Sequence, residues 1–130
     1  MLPFKLAAAA FAAVALTPLA AQAAEIRKFD AAGFAAAKQA GRPILVDVKA
    51  WWCPVCASQN STIRKAIAAP DYDKLLILEV NYDKQKPEWQ ALGVRKQATL
   101  IGYRGGQEVG RIEFDTNKDA IHSLLRRTAG

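Results

Sequence analysis

Cys53 and Cys56 are the only cysteines in the 130-residue chain, and two residues, Pro54 and Val55, separate them. Two thiols at this spacing can exchange a disulfide, hold a soft metal, or staple the chain. A staple is the weakest reading, because closing so short a loop removes little entropy from the unfolded chain. Zinc takes about four ligands, and the chain adds one histidine, His122. A two-thiolate copper(I) site and a cluster shared by two chains remain chemically open. Dithiol–disulfide exchange needs only the pair itself. It is the favoured reading, with no cofactor and no metal site. The alternatives are a metal-binding or metal-delivery protein using Cys53 and Cys56, and a binding module with little turnover.

The pair lies where an apolar segment, 43–50, gives way to a helical pattern. Cys53 is expected at or near a helix N-terminus, where unpaired N–H groups and the helix dipole favour a thiolate. The thiolate is the attacking species. Cys56 falls one turn further on. Cys53 would attack a disulfide and Cys56 would resolve the mixed disulfide. Pro54 suits a first-turn position, where its missing N–H costs nothing. Val55 brings no charge, which points away from a strong oxidase and towards a reductant or electron relay.

Asp47 interrupts the apolar segment six residues before Cys53. Burial there would raise its pKa, and it can take the proton from Cys56, directly or through water. The alternative is a buried acid held by hydrogen bonds or paired with Lys49. Glu79 interrupts the next apolar run. It either shares the space of Asp47 or faces solvent. Trp51 and Trp52 either rim the thiols for partner docking or belong to the core.

The elements that position these residues read as β-α-β-α-β-α-β-β-α. Strands are expected at 25–29, 43–50, 75–82, 99–103 and 108–114. Helices are expected at 31–40, 58–69 and 87–92, with a last one after Thr116-Asn117. Asp30 is a fair N-cap, Gly41 suits a helix end, and Gly105-Gly106 signals a hairpin. Ala120, Ile121, Leu124 and Leu125 would form the apolar face of the last helix. Alternating strands and helices followed by a hairpin imply an α/β fold, with helices on both faces of a central mixed sheet.

Composition is that of one globular domain, 52% apolar and 23% charged. Residues 1–23 read as a signal peptide. A basic start with Lys5 precedes an apolar run, and Ala21-Gln22-Ala23 offers a small-x-small cleavage pattern. Cleavage there leaves residues 24–130 as one domain, exported to the periplasm or secreted, where disulfides persist. The net charge of +6 is spread without a basic run, so no nucleic-acid partner is expected.

The run Pro43-Ile44-Leu45-Val46-Asp47 through Trp52-Cys53-Pro54-Val55-Cys56 resembles the thioredoxin superfamily. So do Val80-Asn81-Tyr82-Asp83, Gly93-Val94-Arg95, Thr99-Leu100 and Gly105-Gly106. The resemblance implies a thioredoxin-like three-layer α/β/α sandwich, with Cys53 as exposed nucleophile, Cys56 as buried resolving thiol and Asp47 as buried proton-transfer acid. It implies docking of protein thiols and disulfides against Trp52, Pro54, Ala98 and Thr99. The protein would work as a monomer, with a membrane thiol reductase as a possible electron donor. Two positions depart from the family pattern. Ala98 stands where the family has a cis-proline, so a trans peptide is expected, and its small side chain leaves room for a metal beside Cys53. Glu79 occupies the region of a family lysine.

Overall fold

The computed structural model describes residues 2–4, 7–16 and 23–130. Lys5 and the first two residues of the expected cleavage pattern, Ala21 and Gln22, lie outside the described residues. Residues 2–4 and 7–16 carry no regular secondary structure, and Phe4, Phe11 and Leu16 are exposed. Among the described residues no helix is long and apolar enough to cross a membrane.

From Glu25 onward the chain forms β1 (Glu25–Lys28), α1 (Ala31–Gln39), β2 (Ile44–Lys49), α2 (Pro54–Ala66), β3 (Leu76–Asn81), α3 (Lys86–Ala91), β4 (Thr99–Arg104), β5 (Gln107–Glu113) and α4 (Lys118–Ala129). The expected order is observed. The sheet runs β1-β3-β2-β4-β5. The first three strands in that row are parallel, and β4 and β5 join antiparallel.

Local chemistry explains most element ends. The Asp30 carboxylate caps α1 by accepting the Gly33 N–H at 2.6 Å. A side chain at Gly33 would meet that carboxylate, with a Cβ 2.9 Å from Asp30 Oδ2. Gly33 therefore serves the cap rather than interrupting the helix. Asn117 caps α4 through the Ala120 N–H at 2.9 Å. Gly105 and Gly106 both have positive φ, as a tight hairpin turn requires. One helix is placed differently from expectation. α2 covers Pro54–Ala66 rather than 58–69, because the sulfur of Cys53 itself supplies the N-cap and Pro54 opens the first turn.

Strand alternation sorts the core into two layers. Ile44, Val46 and Val48 of β2 pack with Phe34 of α1 and Trp89 of α3 on one face. Leu45 packs with Ile63 of α2 and with Ile121, Leu124 and Leu125 of α4 on the other. The three α4 residues are fully buried, each contributing ~1.5–3 kcal/mol over exposure. This is the three-layer α/β/α sandwich. Asp47 and Lys49 share the parity of Leu45, so they point to the α2 face, and Glu79 does the same beside Ile77.

Candidate active site

β2 delivers the chain to the α2 N-terminus, and the two cysteines sit at that junction. Cys53 holds extended backbone angles as the N-cap, and its Sγ accepts the Cys56 backbone N–H at 3.1 Å. Cys56 lies inside the first turn. Both are free thiols in the structure, and both are buried, at 3% and 4% exposure. Exposure therefore does not distinguish them here. Position and electrostatics do. Burial, the hydrogen bond to Cys53 and the charge of Asp47 push the Cys56 thiol up to about 12. It keeps its proton at neutral pH.

Asp47 lies beneath α2, buried. Burial raises its carboxyl to about 7, opposed by Lys49 and Arg64 and reinforced by Glu79. The register sets Asp47 directly beside Glu79 on neighbouring strands, so Glu79 faces the same space rather than bulk solvent. The pairing of Lys49 with Asp47, one of the two alternatives, is not what forms. Lys49 makes its ion pair with Glu79, half-buried next to Asp47. The buried acid is left without a salt-bridge partner among the described residues.

Neither Trp51 nor Trp52 is core. Trp51 is 91% exposed. Trp52 is about half exposed and held in place, its indole N–H donating to both oxygens of Asp83 at 3.0 and 3.2 Å and its ring edge-on to Tyr82. Tyr82 in turn stacks on Trp89. Trp52 and the exposed Pro54 flank Cys53 along the chain.

Ala98 and Thr99 differ from expectation. The structure brings Ala98 against Ala50, Cys53 and Cys56, but Ala98 and Thr99 are both buried. The Ala98 N–H donates to Val48 O at 2.8 Å, and its carbonyl accepts the Phe114 N–H at 2.8 Å. Thr99 donates its hydroxyl to Lys96 O. In this conformation neither residue offers a free group to a partner. Of that loop, Lys96 is exposed and Gln97 partly so. The chain contains no cis peptide among the described residues. Ala98 instead takes φ +60°, as does Phe114 at +54°, a region that costs a residue with a Cβ about 1 kcal/mol or more.

Gln59 holds this strained loop. It is fully buried on α2, and its amide N–H groups donate to Ala98 O at 3.1 Å and Asp115 O at 3.0 Å. The only sequence sign of this role is a polar residue four before Ile63, on the helix face that must be apolar. The hydrogen bonding also predicts how a proline would behave at 98. Proline fixes φ near −65° and has no N–H, so Ala98→Pro conflicts with the backbone and removes the bond to Val48. The expected cost is ~2–4 kcal/mol, seen as a Tm lowered by roughly 10 °C or more in a thermal melt. An unchanged Tm would mean that 95–98 re-forms along another backbone path.

No group of three His, Cys, Asp or Glu side chains comes together among the described residues. His122 stands on α4 and is part-buried.

A strand-to-helix dithiol over a buried acid, on a five-stranded mixed sheet, defines a class of disulfide oxidoreductase. Comparison with known proteins agrees. The sequence model of the thioredoxin family matches residues 25–127. A thioredoxin of Alicyclobacillus acidocaldarius is 30% identical over 94 residues, covering 72% of this chain and 89% of the relative. The crystal structure of Trxlp from Edwardsiella tarda has a TM-score of 0.74 at 40% identity, covering 78% of this chain and 98% of that one. The thioredoxin of Malassezia sympodialis shares the fold, at a TM-score of 0.71 and 18% identity, over 83% and 95% of the two chains. The chain belongs to the thioredoxin family, whose members are protein-disulfide oxidoreductases.

Proposed function

We propose that the protein exchanges disulfides with partner proteins through its Cys-Pro-Val-Cys segment, running mainly as a reductant or electron relay. The observation that carries this reading is the Cys53 sulfur capping α2 through the Cys56 N–H, with the buried Asp47 on the strand that leads into it. Cys53 attacks a partner disulfide, a mixed disulfide forms, and one partner thiol leaves. Cys56 then attacks the Cys53 sulfur and releases the second thiol. Burial and the charge of Asp47 favour the protonated Cys56 thiol, and its proton leaves as the new S–S bond forms. Asp47 is the base for that step, directly or through water. Trp52 and Pro54 provide the docking rim, with Lys96 and Gln97 the accessible residues of the facing loop.

The basic and apolar leader with its Ala21-Gln22-Ala23 pattern supports export, with residues 24–130 working as a monomer in the periplasm or outside the cell. A membrane thiol reductase is the electron donor that such a location calls for. An apolar Val55 between the thiols supports the reducing direction, since it adds no charge to stabilise a thiolate.

A redox titration of the purified protein tests the reading. The expected result is one reversible two-electron transition that disappears in Cys53→Ser. Stoichiometric bound metal together with no reduction of any disulfide would overturn it in favour of metal delivery.

A further inference from the structure

A second approach to the cysteines opens beside α2. The β1-β3-β2 order aligns Lys28, Glu79 and Asp47 across three adjacent strands. All three share the parity of the residues facing α2. α2 covers Asp47 but leaves the outer part of this row open. The result is a cleft of about 430 Å³ whose walls include Lys28, Lys49, Glu79, Asn60, Cys53 and Cys56. That volume falls within the ~300–1,000 Å³ of ordinary small-molecule sites. Neither Trp52 nor Pro54 lines it. It is thus separate from the rim assigned above to protein partners, although it ends at the same two sulfurs.

The charge of the cleft selects its ligand. Glu79 and Lys49 neutralise each other in their ion pair. Lys28 is exposed and has no carboxylate partner among the described residues, so it leaves one positive charge at the mouth. Asn60 is half-buried on the α2 wall, and its amide makes no side-chain hydrogen bond among the described residues. An ammonium at the mouth and a free amide along the wall both suit a carboxylate. The cysteines at the end suit a disulfide.

We infer that this cleft admits small, carboxylate-bearing disulfides, which the Cys53–Cys56 dithiol reduces directly; this rests on the dithiol reading given above. Cys53 as thiolate attacks one sulfur of the small disulfide, which breaks its S–S bond. A Cys53 mixed disulfide forms and the first small thiol leaves. Cys56 attacks the Cys53 sulfur, loses its proton, and expels the second small thiol. Two electrons pass from the dithiol to the small disulfide, leaving a Cys53–Cys56 disulfide and two thiols. Dithiothreitol, supplied in an assay, restores the dithiol.

Three small disulfides of similar length test this in single-turnover reactions of the pre-reduced protein at low ionic strength. They are 3,3′-dithiodipropionate (anionic), bis(2-hydroxyethyl) disulfide (neutral) and cystamine (cationic). Lys28→Glu is compared with Lys74→Glu, which makes the same change of net charge at an exposed residue preceding β3, at the other end of the strands. Lys28→Glu is expected to slow the anionic disulfide by about tenfold, leave the neutral one unchanged and speed the cationic one, the size expected of reversing one charge ~6 Å away in a watery cleft. Lys74→Glu is expected to stay within about twofold for all three. Equal effects of the two variants, or no dependence on ligand charge, would overturn the inference. Reduction of insulin in parallel separates the two readings. Insulin reduced without charge discrimination leaves the protein-disulfide reading standing and this one overturned, and reduction of neither substrate removes both.

Discussion

Cys53→Ser is expected to abolish disulfide reduction, whereas Cys56→Ser is expected to complete one attack and stop at a mixed disulfide. The reasoning starts from helix geometry. Cys53 precedes the first turn of α2 and receives a backbone N–H at 3.1 Å. Cys56 lies within that turn, pushed up to about 12 by burial, by its hydrogen bond to Cys53 and by Asp47. At neutral pH the protonated thiol is a poor nucleophile, so the first attack falls to Cys53. Without Cys56 nothing nearby expels the partner, and the adduct persists. Insulin reduction measures the loss, and intact-mass spectrometry after mixing with a disulfide peptide measures the adduct. The adduct is expected on Cys56→Ser and not on Cys53→Ser. The opposite distribution would exchange the roles of the two thiols. Because both residues are equally buried, that experiment decides what exposure alone does not.

Asp47→Asn is expected to make the protein more stable and slower. The folded state holds this carboxyl near 7 against 3.8 for an ordinary aspartate, chiefly because burial penalises the charge. An acid whose folded pKa is raised binds more protons folded than unfolded between the two values. Stability therefore falls as pH rises from about 4 to about 7 and stays low above it. A shift of about three units corresponds to a loss of up to ~4 kcal/mol. Asparagine has the shape of the protonated acid and no charge to bury. Near pH 4 the variant and the parent should denature at similar urea concentrations. At pH 8 the variant should be the more stable by up to ~4 kcal/mol, a Tm gain of at most roughly 15–30 °C.

On the proposed mechanism the same substitution removes the base for Cys56. Resolution of the mixed disulfide should slow by about 10²-fold or more, the lower range for a positioned general base. The rate in the parent should rise through pH 7 as Asp47 ionises, and in the variant it should lose that rise. A stability gain with an unchanged rate profile would leave Asp47 a buried acid without a part in proton transfer. On the proposed mechanism the parent keeps a destabilising charge where proton transfer uses it, a trade seen at sites where function opposes stability.

Much of this site is legible along the chain because its parts are neighbours in sequence. The Cys53–Cys56 spacing, Pro54 at the helix start and Asp47 six residues upstream all travel on one strand-to-helix unit. Caps are equally local, as Asp30 and Asn117 show by accepting N–H groups three residues on. Even the one misplaced helix start has a local cause. The sulfur of Cys53 acts as a cap, a role usually filled by Ser, Thr, Asp or Asn, so the pattern of cap residues points further downstream.

The sequence by itself determined the dithiol, its acid and the order of elements that carries them, because spacing and periodicity along one segment set these. Only the tertiary structure decided what surrounds them. Lys49 pairs with Glu79 and not Asp47 because the β2–β3 register puts the two acids side by side. Gln59 grips carbonyls 39 and 56 residues away, and Ala98 withdraws its backbone into those contacts. Lys28 reaches the cysteine cleft because β1 lies next to β3. Each is an adjacency between strands or between a helix and a distant loop. Such adjacencies follow from how the whole sheet buries its two faces, which no single stretch of sequence records.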